Sequence, residues 1–162
     1  MSRVEVRRIR PDEHERAGDV CVAAYDPLLT GAEDDYRERL HDVATRDAQA
    51  EVWVAVVDDR VVGVVTYCPP GSPWREIGRD EEGEFRMLAV DPAAQGTGAG
   101  TALARLCEER AREHGATGMA LSSLAAMRAA HSIYSRLGYA REPGRDWSPV
   151  AGVDLLAFSK AF

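Results

Sequence analysis

Three glycines at alternate positions, Gly96, Gly98 and Gly100, stand inside the run Gln95-Gly96-Thr97-Gly98-Ala99-Gly100-Thr101. A strand-like stretch at 84–90 precedes them, followed by Asp91-Pro92-Ala93-Ala94, and a helical pattern opens near Gly98. Glycine has no Cβ, so the backbone can approach an anion closely. The first N–H groups of a helix point outward without partners, and the helix dipole favours negative charge there. The run is therefore suited to hold a phosphate or diphosphate. Its spacing argues against two common phosphate sites. A dinucleotide fold needs G-x-G-x-x-G directly after a strand, with an acid at the end of a second parallel strand. Here a Pro-containing link intervenes and 118–122 contains no acid. No G-K-[S/T] follows, so the run is not a P-loop.

The remaining reactive side chains are scattered. Cys21, Cys68 and Cys107 form no CxxC pair, and His14, His41, His114 and His131 form no HExxH pair. The cysteines are expected to be buried thiols, and no metal is expected. The net charge of −7 argues against binding nucleic acid, which needs Lys and Arg to neutralise phosphates. It mildly favours a cationic or neutral substrate. The acidic clusters Glu33-Asp34-Asp35 and Asp80-Glu81-Glu82 read as solvated faces at least as readily as attractors of a cation.

The elements around the glycine run follow from periodicity and punctuation. Residues 4–9 alternate as a strand. A helix then starts around Pro11 and runs to Tyr25, ended by Asp26-Pro27. Residues 33–43 read as a more polar helix. Strands at 51–57 and 60–67 flank an Asp58-Asp59 turn as a hairpin. A long connection over 68–83, rich in Pro and Gly, leads to the strand at 84–90; connections this long are often functional. The helix from Gly98 to His114 carries the stripe Ala99, Leu103, Leu106, Cys107 and stops at Gly115. A buried strand at 118–122, a helix at 127–137 closed by Gly138, and strands at 139–141 and 153–158 complete the chain. Mixed hairpins and crossovers predict an α/β (α+β) mixed sheet flanked by helices.

The 162 residues, 45% of them apolar and 29% charged, suit one domain over 1–162. No apolar run is long enough to span a bilayer, so no membrane partner is expected. The N-terminus shows no apolar leader segment, and a cytoplasmic location is the expectation.

Leu88-Ala89-Val90-Asp91-Pro92 followed by Gln95 to Gly100 resembles the acetyl-CoA signature of the GNAT N-acetyltransferase superfamily, Q/R-x-x-G-x-G/A between a strand and a helix. A second family element, a helix ending in Tyr and then Gly with an aromatic, is matched by Tyr134 and Gly138-Tyr139. The order of elements matches as well. The resemblance implies a central, mostly antiparallel sheet of about seven strands with a splayed pair and about four helices. It implies acetyl-CoA as cosubstrate, with Gln95, Gly96, Thr97, Gly98, Ala99, Gly100 and Thr101 on the diphosphate. Leu88, Ala89 and Val90 would run beside the pantetheine arm. Ala130 and Tyr134 would touch its far side, and an N–H near Leu88 would polarise the thioester carbonyl. Many members carry Asn seven residues before the Tyr; Met127 stands there in this chain and cannot make that hydrogen bond.

The implied activity is acetyl transfer to a primary amine by direct attack through a tetrahedral intermediate, because no cysteine falls in the motifs to carry an acyl group. A lysine-like amine has a pKa of about 10.4, so a proton must first be removed. Tyr134 is the candidate general acid, against the alternative that it only packs in the core. Glu84 is the candidate base, against the alternative of an exposed carboxylate pairing with Arg86; Glu81 and Glu82 are its rivals. His131 reads as a satisfied histidine or a cofactor contact. Segments 26–36 and 143–152 would border a small-molecule or peptide amine acceptor, lined by Tyr36 and Trp147. Trp74 reads as part of a lid or as an anchor of its loop. A non-catalytic acyl-CoA-binding sensor and a homodimer both stay open.

Overall fold

The computed structural model describes residues 3–29 and 34–162. Eight strands form one sheet: β1 (Glu5–Arg8), β2 (Glu51–Val57), β3 (Arg60–Cys68), β4 (Glu82–Val90), β5 (Gly118–Leu124), β6 (Ala140–Arg141), β7 (Trp147–Val150) and β8 (Val153–Ala161). The helices are α1 (His14–Tyr25), α2 (Asp34–His41), α3 (Val43–Gln49), α4 (Ala99–Glu113) and α5 (Arg128–Arg136). The sheet order is β1-β2-β3-β4-β5-β8-β6, with β7 also pairing with β8. Every pair is antiparallel except β4–β5.

The parallel pair is short. It runs from Glu82↔Gly118 to Phe85↔Leu121 and stops. Beyond it, β4 stays paired with β3 and β5 with β8. A gap therefore opens between the C-terminal halves of β4 and β5. On its other edge β4 carries a bulge. Thr66 faces Arg86 and Val64 faces Ala89, so Met87 and Leu88 together oppose Val65. Met87 has φ +57°, uncommon for a residue with a side chain. Such a bulge takes one residue out of the ladder and turns the strand.

Two apolar layers cover the sheet. One gathers Val20, Cys21 and Tyr25 of α1 with Tyr36 and Leu40 of α2. The other gathers Leu103, Ala104 and Cys107 of α4 with Ala130 and Tyr134 of α5. The helical three- and four-residue spacing of these positions is why each helix buries one face. The bulge shifts the alternation along β4: Phe85 before it and Leu88 after it join the α4–α5 layer, while Met87 and Ala89 join the α1–α2 layer. All three cysteines are free and buried.

Several elements differ from expectation. The polar helix expected over 33–43 is α2, which ends at His41, a further helix, α3, follows it, and Glu33 lies outside the described residues. Asp42 separates them, accepting the Thr45 N–H on its side chain at 3.2 Å. An Asp at that point stabilises a new helix start more than continuation of the old one. β7 was not expected, because Pro149 interrupts it; it pairs only with β8, and such an edge tolerates proline. β4 begins at Glu82, two residues early, because Glu82 and Gly83 pair with β5. Among the described residues the fold thus has eight strands and five α-helices in place of about seven and four.

Candidate active site

Gly98 is the N-cap of α4, with φ +87°, and Gly96 before it has φ +85°. A side chain at either would be strained by the backbone conformation, not by crowding, because a Cβ there would meet nothing within 4 Å. The turn therefore exposes its backbone to open space. The first helical bond runs from the Ala102 N–H to the Gly98 carbonyl. The N–H groups of Gly100 and Thr101 consequently have no acceptor inside the helix. Gly100 serves another purpose. A Cβ there would lie 2.7 Å from Ile133 Cδ1, so its absence lets α5 pack against the start of α4.

A cavity of about 350 Å³ opens over this turn. Leu88, Val90, Gln95, Gly96, Thr97, Gly98, Ala99, Gly100, Thr101 and Ala130, all candidates from the sequence, line it together. Ile133 and Arg136 line it as well and were not anticipated. Their signal was the α5 periodicity, three and six residues after Ala130. Free helix N–H groups, an exposed Arg136 and an apolar wall from β4 fit a diphosphate joined to an uncharged arm.

Two residues assigned to this contact set do not line the cavity. Ala89 faces the opposite layer, 1% exposed, because strand alternation turns it away from Leu88 and Val90. Tyr134 is 2% exposed and packs its ring edge-on against Phe85 and Tyr139, at 6.0 Å from each. Its hydroxyl hydrogen-bonds with Ser123, in the part of β5 already separated from β4. Burial pushes the phenol above its ordinary pKa, and the Ser123 bond opposes this. Tyr134 thus keeps its proton at neutral pH beside the inner end of the gap. His131 is half-buried, with Nε2 3.2 Å from both Ser123 Oγ and the Leu124 carbonyl. It is a satisfied histidine, held below its ordinary pKa by burial.

Glu84 differs from both sequence alternatives. It is neither an exposed carboxylate nor an open base. It is 0% exposed and accepts the backbone N–H groups of Glu76, Ile77 and Gly78 at 3.0, 3.2 and 2.9 Å. Burial raises its pKa, while these three bonds and Arg86 pull it down. The physical reason is the loop over 69–81, which folds back on the start of β4 and spends the carboxylate on its own backbone. Of the rivals, Glu82 is paired with Arg145 at 2.7 Å, and Glu81 is exposed. Burial pushes the thiols of Cys21, Cys68 and Cys107 above their ordinary pKa, so none is poised as a thiolate nucleophile.

On the α2 side of the sheet, a second cavity of about 370 Å³ is lined by Arg39, Trp74, Glu76, Arg86 and Trp147, among others. Trp147 lies where the acceptor was expected. Tyr36 does not line it; it is 2% exposed within the core. Part of the 26–36 segment lies outside the described residues. Trp74 anchors its loop, donating from Nε1 to Gln49 Oε1 at 2.9 Å. A larger hollow of about 620 Å³, lined by His14, Arg37 and His41 among others, lies on the α1–α2 surface and shares no residue with either cavity. Among the described residues no cluster of His, Cys, Asp or Glu is arranged to hold a metal ion.

Known proteins agree with this geometry. The acetyltransferase (GNAT) family matches residues 12–139. N-acetylaspartate synthetase of Rattus norvegicus is 31% identical over 110 residues, covering 68% of this chain but 34% of that protein. The chain therefore spans about a third of the length of that curated relative. Among solved structures, PaiA N-acetyltransferase of Thermoplasma acidophilum in complex with coenzyme A superposes with a TM-score of 0.72 at 13% identity, covering 99% of both chains. Ribosomal-protein-alanine N-acetyltransferase of Brucella melitensis superposes at 0.67 with 21% identity, covering 98% of this chain and 99% of that one. Motif, split sheet and family match converge, and the chain belongs to the acetyltransferase (GNAT) family.

Proposed function

We propose that this chain transfers an acetyl group from acetyl-CoA to a primary amine by direct attack. The observation that carries the reading is the split between β4 and β5 after Phe85 and Leu121, with the Gly98-capped helix at one end and the Tyr134 hydroxyl at the other. The names of the relatives support an amine acceptor: one makes an N-acetylated amino acid and another modifies an alanine of a ribosomal protein.

The chain's own groups divide the work. The Gly100 and Thr101 N–H groups, with Arg136, hold the diphosphate. Leu88 and Val90 give the arm an apolar wall. The bulge at Met87 and Leu88 releases a backbone N–H from the ladder, placed to stabilise negative charge developing on a carbonyl oxygen. Tyr134 supplies the proton that the departing thiolate takes up. With Glu84 engaged by the loop, the proton of the acceptor ammonium leaves to water or to Glu76, an exposed carboxylate lining the second cavity.

The engagement of Glu84 also favours a second reading, a non-catalytic acyl-CoA-binding module. A thiol-release assay with acetyl-CoA and a panel of amines separates the two. Amine-dependent release that drops in Tyr134→Phe supports transfer. Tight acetyl-CoA binding without release by any amine supports the module.

A further inference from the structure

The α2-side cavity contains a cation that the proposed transfer does not use. Arg86 is 4% exposed, yet no carboxylate lies within ion-pair distance among the described residues. Among the described residues its one hydrogen bond runs from an Nη to the Trp74 carbonyl at 3.2 Å. Its guanidinium carbon lies 5.6 Å from the ring centroid of Trp74 and 5.1 Å from that of Trp147. Arg46 is the informative contrast. It is also buried without a carboxylate, but its Nε and both Nη atoms reach Thr66 Oγ1 and the carbonyls of Arg39 and Leu40, with Cys21 Sγ a further contact. Arg46 is thus a satisfied structural residue. Arg86 keeps most of its five donors unspent and borders a cavity.

Burying a charge costs free energy unless it is paired. Two tryptophan faces offset part of that cost and leave the planar donor edge available. That edge matches a carboxylate in two-point geometry. Arg39 lines the same cavity and forms no ion pair among the described residues. The nearest acid on the strand, Glu84, is committed to the loop. Position adds to the argument: Arg86 is the first residue of β4 beyond the last β4–β5 pair, where the gap begins. A group held there lies next to the point at which the acyl group would be exchanged.

We infer that the acceptor is a small amine that also carries a carboxylate, an amino acid being the simplest class, and that Arg86, between Trp74 and Trp147, binds that carboxylate. The inference rests on the transfer reading above but has a test of its own, because Trp74 and Trp147 report on the site directly.

Intrinsic tryptophan fluorescence of the full chain with saturating CoA is titrated with L-amino acids, aspartate and glutamate included, each beside its own α-amide. Thiol release from acetyl-CoA is measured on the same panel. At least one amino acid is expected to give a saturable fluorescence change, with an apparent Kd at least tenfold below that of its amide. Arg86→Gln abolishes that preference, and Arg86→Lys retains part of it. Amides that bind as well as the acids, or a panel in which neither binds, overturn the inference. Turnover of amides alone leaves acetyl transfer standing and overturns only the carboxylate site. Carboxylate-selective binding without turnover of any amine supports the site and sinks the transfer reading.

Discussion

The carboxylate of Glu84 accepts the backbone N–H of Gly78 at 2.9 Å and ties a thirteen-residue connection, 69–81, to the start of β4. Glu76 and Ile77 donate to the same group, and Trp74 of the same loop borders the second cavity. Glu84 therefore holds in place the loop whose Trp74 borders this cavity. Glu84→Gln would turn an amide NH2 toward backbone donors and leave at least one buried N–H without an acceptor, a loss of about 1–3 kcal/mol. The expected result is a lower Tm with kcat of the folded enzyme within about tenfold of wild type, a smaller loss than removal of a general base brings. An unchanged Tm with a hundredfold fall in kcat would restore Glu84 to the base role.

Tyr134 should behave differently. Its ring fills an aromatic cluster that phenylalanine would fill equally well, so Tyr134→Phe should keep the fold. Removing the acid should lower kcat by about 10² while the KM for acetyl-CoA stays nearly constant. Ser123→Ala makes a matched control. It removes the hydroxyl that bonds with Tyr134 and lies 3.2 Å from His131 Nε2, leaving the phenol in place. Steady-state kinetics of both variants decide the matter. Equal losses in kcat and kcat/KM for Tyr134→Phe are expected, whereas a change confined to KM would make Tyr134 only a wall.

Much of this arrangement was legible because the determining signals are local. Alternate glycines before an amphipathic helix specify the turn at 95–101, and the Asp58-Asp59 turn specifies the β2–β3 hairpin; both residues adopt positive φ there. What was not legible depends on contacts distant in sequence. Nothing near Glu84 shows that 76–78 will return to it, and nothing near Arg86 shows that Trp74 and Trp147, twelve positions before and sixty-one after, will meet it. Ala89 stays out of the cavity lining, although a motif treats 88–90 as a unit, because a strand sends alternate residues to opposite faces. β7 was hidden because Pro149 marks an edge strand and a loop alike.

The glycines of the cradle have distinguishable tasks, and alanine substitution should separate them. Gly98 needs its left-handed φ, so Gly98→Ala costs about 1–2 kcal/mol of local strain and deforms the turn that presents the backbone N–H groups. Gly100 lies in the first turn of α4, where an added Cβ would come 2.7 Å from Ile133 Cδ1. In Gly100→Ala the end of the Ile133 side chain must shift aside, at a cost of about 0.5–1.5 kcal/mol. Calorimetry with acetyl-CoA should show the larger affinity loss in Gly98→Ala. A double variant, Gly100→Ala with Ile133→Val, should recover part of the lost Tm, because the shortened side chain vacates the clash. Gly98→Ala should gain nothing from Ile133→Val.

Acid stability offers a test far from the site. Arg7 donates from both Nη atoms to Glu13, each at 2.8 Å, and the Arg10 N–H donates to Glu13 Oε1 at 2.9 Å. The Arg7 bond is the main cause that lowers the Glu13 pKa from 4.5 to about 2; the Arg10 N–H adds to it and partial burial opposes it. In the folded chain Glu13 thus binds its proton more weakly than in the unfolded chain. Its contribution is fully present above pH 4.5 and is lost as pH falls toward 2, because the unfolded state takes up the proton first. The pair is partly exposed, so its worth is about 1 kcal/mol at most. Arg7→Gln should therefore be less stable than wild type at pH 7 by roughly that amount. The deficit should be full above pH 4.5, shrink as pH falls toward 2 and vanish only below the folded pKa of about 2, where Glu13 is protonated in either chain. Urea unfolding at pH 7, 4.5, 3 and 2 reads the difference directly. A deficit that stays at its pH 7 size down to pH 2 would assign the loss to the arginine stem and not to its bond with Glu13.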